Sequence, residues 1–337
     1  MLIALCACEI GAQPLRQRDK GDLRLMFFNL ENYFAPFVDS LHPEREFSPA
    51  SMRRWTWNRF VQKTNGIYKI IVSVGEMAPP ELIGFCEVEN RFVLNHLYYQ
   101  TPLAKYDYGI VHQDSPDSRG IDVALFYLKS AFTLVNKKFI PVRLENGRTT
   151  RDILYAKGIV NELDTLHVMV VHAPSKYGGA VASEGSRGIF AATLRHFIDS
   201  LQSVTHKLNL VVVGDFNDSP DSPSVSEGLQ ASSNLQGSAP DSLYNLAMPY
   251  HQQGKGSIKF QGAWELIDLV LVSGNLLNKE EPLYCLPNDY RIFEAPFLME
   301  PDEQYTGEIP HRTYKGMRYN GGISDHLPVV LDIRKGF

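Results

Sequence analysis

The chain has 337 residues, 44% of them hydrophobic and 21% charged, proportions that fit an ordinary globular protein and exclude a disordered or fibrous one. A formal net charge of −5 denies it the basic footprint usual in tight nucleic-acid binders, although a bound cation can supply positive charge locally. No apolar run reaches the roughly 18 residues of a membrane-spanning helix, and the length suits one large α/β domain or two smaller ones.

The stretch Met1–Ala12 is small and apolar, and residues 13–22 form a polar linker. Together, residues 1–22 resemble a short signal peptide, and Leu5-Cys6-Ala7-Cys8 also reads as a degenerate lipobox with a lipid on Cys8. The segment lacks Lys or Arg ahead of its apolar core, so a misplaced start is the competing reading. Export to the periplasm, cell surface or medium is the expectation, with a cytoplasmic location left open. Of the other cysteines, Cys86 lies inside an apolar run and is expected to be a core thiol rather than half of a disulfide; Cys285 is left open.

Leu23–Phe28 reads as a strand ending at Asn29. Within Arg53–Met77, Ile67, Ile70, Ile71 and Val74 keep helical spacing, and Pro79-Pro80 closes the helix. Trp55 and Trp57, beside Arg53 and Arg54, either stack on bases or staple the start of that helix. Glu81–Cys86 and Ile121–Leu128 are strands, the first ending at Glu87 and the second entered through Ser118-Arg119-Gly120. Leu166–Val171 is a strand ending at His172, and a helix over Arg187–Leu201 presents Phe190, Leu194, Phe197 and Leu201 on one face. Leu208–Val213 carries three consecutive valines and stops at Gly214-Asp215-Phe216-Asn217, where the glycine is expected to free the backbone to turn. Residues 221–260 read as loop and short helix, Leu266–Val272 as a strand enclosing Asp268, and Leu327–Ile333 as the last strand, behind Ser324-Asp325-His326. Two strand–helix–strand units, 23–86 and 166–213, require locally parallel strands. One catalytic domain over 23–337 is expected, a four-layer α/β sandwich of two facing mixed sheets with helices outside.

The strand ends carry Asn29, Glu31, Glu87, His172, Asp215, Asn217, Asp325 and His326, with Asp268 inside a strand. Carried to one edge, these carboxylates would repel one another unless a cation joined them. Oxygen ligands of this kind suit Mg²⁺ or Mn²⁺, with Ca²⁺ open, and the absence of a Cys/His cluster argues against zinc. Two histidines among acids point to proton transfer or oxyanion stabilisation, and the set as a whole to phosphoester hydrolysis.

The motifs Phe28-Asn29-Leu30-Glu31-Asn32, Cys86-Glu87-Val88-Glu89-Asn90, Arg119-Gly120-Ile121-Asp122, His172-Ala173-Pro174, Gly214-Asp215-Phe216-Asn217, Ile267-Asp268 and Ser324-Asp325-His326 stand in the order of the endonuclease/exonuclease/phosphatase superfamily, which the chain resembles over about residues 23–335. The local style is most similar to that of bacterial predicted extracellular nucleases. The resemblance implies that Asp215 orients or deprotonates the attacking water and Asn217 supports the phosphate. It implies that Glu87, Glu31 and Asn29 hold the divalent ion, with Asp325 at its edge or on a second ion. His326, oriented by Asp268, would bind the phosphate; His172 would be a general acid or phosphate contact, and Arg119 a phosphate clamp. Val171 stands where relatives often have Asn, which removes one supporting hydrogen bond.

Between 289 and 322 the chain carries Arg312, Tyr314, Lys315, Arg318 and Tyr319, suited to a nucleic-acid backbone with nearby bases. Arg312 and Arg318 are therefore added to Arg119 as phosphate-binding candidates. The expected activity is that of a metal-dependent nuclease on DNA or RNA, working as a monomer. A phosphodiesterase or phosphatase for a lipid headgroup or sugar phosphate is the alternative, and an inactive binding module the third.

Overall fold

The computed structural model describes residue 19 and residues 22–37, 46–76, 78–176, 180–235 and 239–336; apart from Asp19 and Asp22, the leader expected at 1–22 lies outside them. No helix among these residues is long and apolar enough to cross a membrane.

Strand β1 (Leu23–Tyr33) leads through helix α1 (Trp57–Gly75) to β2 (Leu82–Val88), and α2 (Arg91–Tyr99) leads on to β3 (Tyr108–His112) and β4 (Asp122–Leu128). The chain then crosses to β5 (Phe132–Ile140), β6 (Ile153–Val160) and β7 (Asp164–His172), and α3 (Ala180–Gln202) returns it to β8 (Leu210–Asp215). Short elements follow: β9 (Ala231–Ser232), β10 (Leu243–Asn245), α4 (Met248–Gln252), β11 (Ile258–Phe260), β12 (Ala263–Glu265) and β13 (Asp268–Ser273). The last part contains β14 (Leu283–Tyr284), β15 (Tyr290–Ile292), β16 (Met299–Pro301), β17 (Glu308–Pro310), β18 (Tyr314–Lys315), β19 (Arg318–Tyr319) and β20 (Val329–Lys335).

One sheet has the order β14-β20-β1-β2-β4-β3, with β15 also on β20; the other runs β5-β6-β7-β8-β13-β10-β9. The two pairs joined by strand–helix–strand units, β1/β2 and β7/β8, are parallel, as the right-handed crossover logic requires. The sheets face each other, and Gly84 of β2 backs directly onto Val170 of β7. Outside the first sheet, α1 buries Phe60, Ile67, Ile70, Ile71 and Val74, the stripe its sequence spells out. Outside the second, α3 buries Phe190, Leu194 and Ile198, while Phe197 sits edge-on to Tyr155 of β6. The result is a four-layer α/β sandwich.

Four local expectations change. β1 does not stop at Asn29 but runs to Tyr33 with a shift of register, because Glu31 (φ 45°) and Asn32 (φ 57°) adopt left-handed backbone and loop out of the ladder. α1 ends at Gly75, before the prolines, on Glu76 at φ 60°. β13 begins at Asp268 rather than enclosing it. Gly214 is not a turn residue: it lies inside β8, where an added Cβ would stand 2.1 Å from the carbonyl oxygen of Val171. The chain turns three residues later, at Asn217 (φ 50°).

Trp55 is fully buried, its indole N–H donating to the carbonyl of Phe34 at 2.8 Å, so it staples the entry to α1; Trp57 is half exposed. Cys86 and Cys285 are both buried free thiols.

Candidate active site

The ends of β1, β2, β7, β8 and β13 and the loop before β20 bring the candidate residues to one edge of the sandwich. His172 and Asp215 are register partners across the parallel β7/β8 pair, and Asp268 is the register partner of Asp215 across β8/β13. Three neighbouring positions of one sheet thus carry a histidine and two aspartates. The opposite sheet contributes Asn29, whose amide Nδ2 donates to Asp215 Oδ2 at 3.0 Å and lies 3.4 Å from His326 Nε2.

His326 Nδ1 donates to Asp268 Oδ2 at 2.7 Å, and the same oxygen accepts from Ser257 Oγ at 2.5 Å. His326 Nε2 stands 4.0 Å from Asp215 Oδ2, and His172 Nε2 stands 3.6 Å from it. Burial alone would push the His326 imidazole down, but the Asp268 charge and hydrogen bond, with Asp215 and Asp325, hold it well above the ordinary histidine range. His172 goes the other way: burial, then the charges of Arg151, Arg119 and His326, hold it well below that range. Asp215 is raised to about 7, chiefly by burial and then by Asp268, against lowering by His326, the Asn217 N–H and the Asn29 amide. One histidine charged and one neutral, either side of a carboxylate that titrates near neutrality, is an arrangement suited to moving a proton.

The carboxylates do not form a single knot. Glu31 Oε2 accepts from the Thr313 N–H at 2.7 Å, and the Arg312 guanidinium bridges Glu31 Oε1 (3.3 Å) and Asp325 Oδ2 (2.8 Å). Glu87 is held separately, by the Asn32 N–H at 2.8 Å and by Arg119 Nη2 at 3.2 Å. Arg119 and Arg312, expected to bind phosphate, each contact these acids, and each side chain is more than two-fifths exposed. Arg318 lies on the β18/β19 hairpin, largely exposed, with its guanidinium 3.9 Å from Glu303 and no described contact with the cluster. Asn217 uses its backbone N–H on Asp215 Oδ1 (2.8 Å) and its amide on the carbonyl of Ala173 (3.1 Å).

A divalent ion fits this donor set. Burial and then the Asp325 charge raise Glu31 to about 7, against Lys63, Arg312 and the Thr313 N–H, so an added cation would favour its ionised form. A guanidinium already lies between Glu31 and Asp325, and the donors there are carboxylate oxygens, the hard ligands of Mg²⁺ or Mn²⁺. Elsewhere at the edge, Asp215, Asp268 and His326 offer ligand atoms within 4.8 Å of one another.

Several participants carry little sequence signal. Lys63 is buried on α1 and donates to the Glu31 carbonyl (2.7 Å) and to Thr313 Oγ1 (2.6 Å). A lysine on an apolar helix stripe, three residues after Phe60 and four before Ile67, was the available clue, since it needs a buried partner. Arg151 donates to the Ala173 carbonyl (2.6 Å) and pairs with Asp117 (3.1 Å), placing a cation behind His172. Ser257 and Thr313 have no sequence pattern that marks them. Beside the site, Lys176, Ile258, Phe260, Ile309, Pro310 and Arg312 help to line a cleft of about 500 Å³.

A sequence profile of the Endonuclease/Exonuclease/phosphatase family matches residues 24–335, and the chain belongs to that family. No curated protein matches it. Its fold is similar to that of the human Nocturnin catalytic domain with bound sulfate anion, at 17% identity and a TM-score of 0.55, covering 95% of this chain and 96% of that one. It is also similar to D. rerio TDP2 complexed with single strand DNA product, at 11% identity and a TM-score of 0.56, covering 93% and 99%. An endonuclease/exonuclease/phosphatase from Bacteroides vulgatus is 17% identical with a TM-score of 0.54, covering 94% and 100%.

Proposed function

We propose that this member of the endonuclease/exonuclease/phosphatase family is a divalent-metal-dependent phosphodiester hydrolase acting on nucleic acid. The observation that carries the reading is the Ser257–Asp268–His326 chain of hydrogen bonds ending 4.0 Å from Asp215, beside acids already gathered around a guanidinium. Asp215, fixed at one oxygen by Asn29 and at the other by the Asn217 N–H, takes the proton of the attacking water. His326, charged and turned by Asp268, presents Nε2 to a phosphate oxygen where negative charge builds up. His172, neutral and beside Asp215, serves as the second proton carrier.

A divalent ion held by Glu31, Glu87 and Asp325, with Asn29 adjacent, supplies neutralisation of the phosphate when bound. Arg119 and Arg312 exchange a carboxylate partner for the phosphate as substrate arrives, and the exposed Arg318 meets a neighbouring phosphate. The DNA product held by the similar TDP2 fold supports a nucleic-acid substrate. A lipid-headgroup or sugar phosphodiester is the second reading, favoured by the net charge of −5 and by the apolar Ile258, Phe260, Ile309 and Pro310 in the neighbouring cleft.

The test is a turnover screen with plasmid DNA, RNA, sphingomyelin and inositol phosphates, each with Mg²⁺, Mn²⁺ or EDTA. Metal-dependent cleavage of a nucleic acid is expected. Turnover of the lipid or sugar substrates alone selects the second reading, and turnover of none under any metal overturns both.

A further inference from the structure

We propose that Cys86, His172 and Asp215 form a capture site for a soft divalent cation, Zn²⁺ or Cd²⁺, beneath the hydrolytic edge, and that its occupancy arrests turnover. Cys86 is the register partner of Asn29 in the parallel β1/β2 pair, and Asn29 reaches across to Asp215, so this face of the first sheet looks onto β8. His172 and Asp215 stand side by side on the facing sheet. A sulfur, an imidazole nitrogen and a carboxylate oxygen consequently meet between the sheets, all three residues buried and their ligand atoms within 4.8 Å of one another.

His172 faces Asp215 Oδ2 through Nε2, at 3.6 Å, and the rest of the ring is short of partners. His172 is 2% exposed, yet its Nδ1 has no hydrogen-bond partner among the described residues, which is costly for a buried polar atom. The thiol is also uncommitted, being free of any disulfide.

The donor set decides the class of ion. Glu31, Glu87 and Asp325 offer only oxygen and suit Mg²⁺ or Mn²⁺, whereas a thiolate with an imidazole and a single carboxylate is chemistry that Zn²⁺ and Cd²⁺ prefer. Zinc bonds of about 2.0–2.3 Å bring such ligand atoms closer than they now stand, by side-chain shifts on the order of 1 Å. The fourth position is left for water. Binding exchanges the Cys86 thiol proton, and the Asp215 proton wherever that carboxyl is still protonated, for the metal, and these protons pass to solvent.

Arrest of turnover rests on the function proposed above, since the ion would occupy the carboxylate and imidazole that move the proton. Binding itself does not depend on that function, and the two can be measured apart. Cd²⁺ alone, titrated into the full chain, is expected to produce the ultraviolet charge-transfer absorption of a cadmium–thiolate bond. The wild-type band should exceed that of Cys86→Val by one thiolate, with Cys86→Ala as the second variant should valine disturb the core; this difference discounts the other cysteines. With saturating Mg²⁺, the Zn²⁺ concentration for half-inhibition should rise at least about tenfold in either variant while uninhibited turnover stays near wild type. Equal bands in wild type and both variants overturn the site. A lost band with unchanged Zn²⁺ sensitivity overturns the arrest. A chain that shows the band but hydrolyses no phosphoester keeps the site and counts against the function.

Discussion

Asp268 and His326, 58 positions apart in the chain, meet at 2.7 Å between Oδ2 and Nδ1, and Ser257 closes on the same oxygen from a third direction. The contact fixes which imidazole nitrogen is turned toward Asp215 and favours the charged ring. Asp268→Asn should lower kcat by about 10²-fold or more, the scale of a misplaced acid–base group. Its alkaline limb should move to lower pH, because the imidazolium loses the carboxylate that favours it. A pH–rate profile of the variant that keeps the wild-type limb would falsify the pairing as the source of that charge.

Asp215→Asn should cost at least about 10²-fold in turnover while leaving the circular dichroism spectrum unchanged, since the register that holds position 215 is made by the backbone. Wild-type rates in this variant would remove Asp215 from the proton-transfer role.

Glu87 is held away from Glu31 and Asp325 by Arg119 and the Asn32 N–H, so its contribution to the ion is best read by titration. Glu87→Gln should raise the Mg²⁺ concentration for half-maximal activity about tenfold, one anionic ligand being lost. An unchanged titration curve would place Glu87 outside the ligand set.

Much of this was legible beforehand. Apolar runs marked β1, β2, β4, β7, β8 and β20 because strands buried on both faces need continuous hydrophobic sequence, and the α1 stripe named its own buried face. The β5 edge was not legible, since its Lys137 and Lys138 face solvent, nor were the two- and three-residue strands after β8, which exist only through tertiary pairing. The tips announced the acids and histidines, and the family resemblance implied the Asp268–His326 contact. They could not announce that Arg312 would bridge Glu31 across 281 positions, because sequence spacing says nothing about which carboxylate a long side chain meets. For the same reason the contact of Arg119 with Glu87 was not legible either.

Gly214 stands between two site strands with no room for a side chain. Gly214→Ala should destabilise the fold by at least about 1–3 kcal/mol, the usual cost of overpacking, and should lower kcat by displacing Asp215. A variant with an unaltered urea midpoint and rate would show that β7 yields there.

A buried clamp ties the first strand to the last. Arg24 on β1 forks onto Asp332 of β20 at 2.7 and 3.0 Å, and Arg291 of β15 adds a third bond at 2.7 Å. Burial would raise the Asp332 carboxyl, but the Arg24 hydrogen bond and the two guanidinium charges hold it below its ordinary value. A depressed carboxylate contributes stability that is present above its unfolded value, about 4, and lost as pH falls through the folded one. Arg24→Met should cost about 3–5 kcal/mol at neutral pH by leaving a buried charge short of a partner. The acid-side decline in urea midpoint should be smaller in the variant than in wild type; an identical decline would exclude the clamp as its source.

Ser257 and Ile258 touch the Asp268–His326 pair, the first through its hydroxyl and the second through a bridge to the His326 backbone, while Ile258 and Phe260 wall the neighbouring cleft. Lys259, between them, is pinned by Asp302 at 2.8 Å and by the Thr306 carbonyl at 2.7 Å. The wall and the imidazole are therefore joined directly, by a backbone bridge and by the Ser257 hydroxyl. Under the proposed mechanism, a molecule that presses this hairpin aside should displace His326 as well, and poor substrates should then differ in kcat more than in KM.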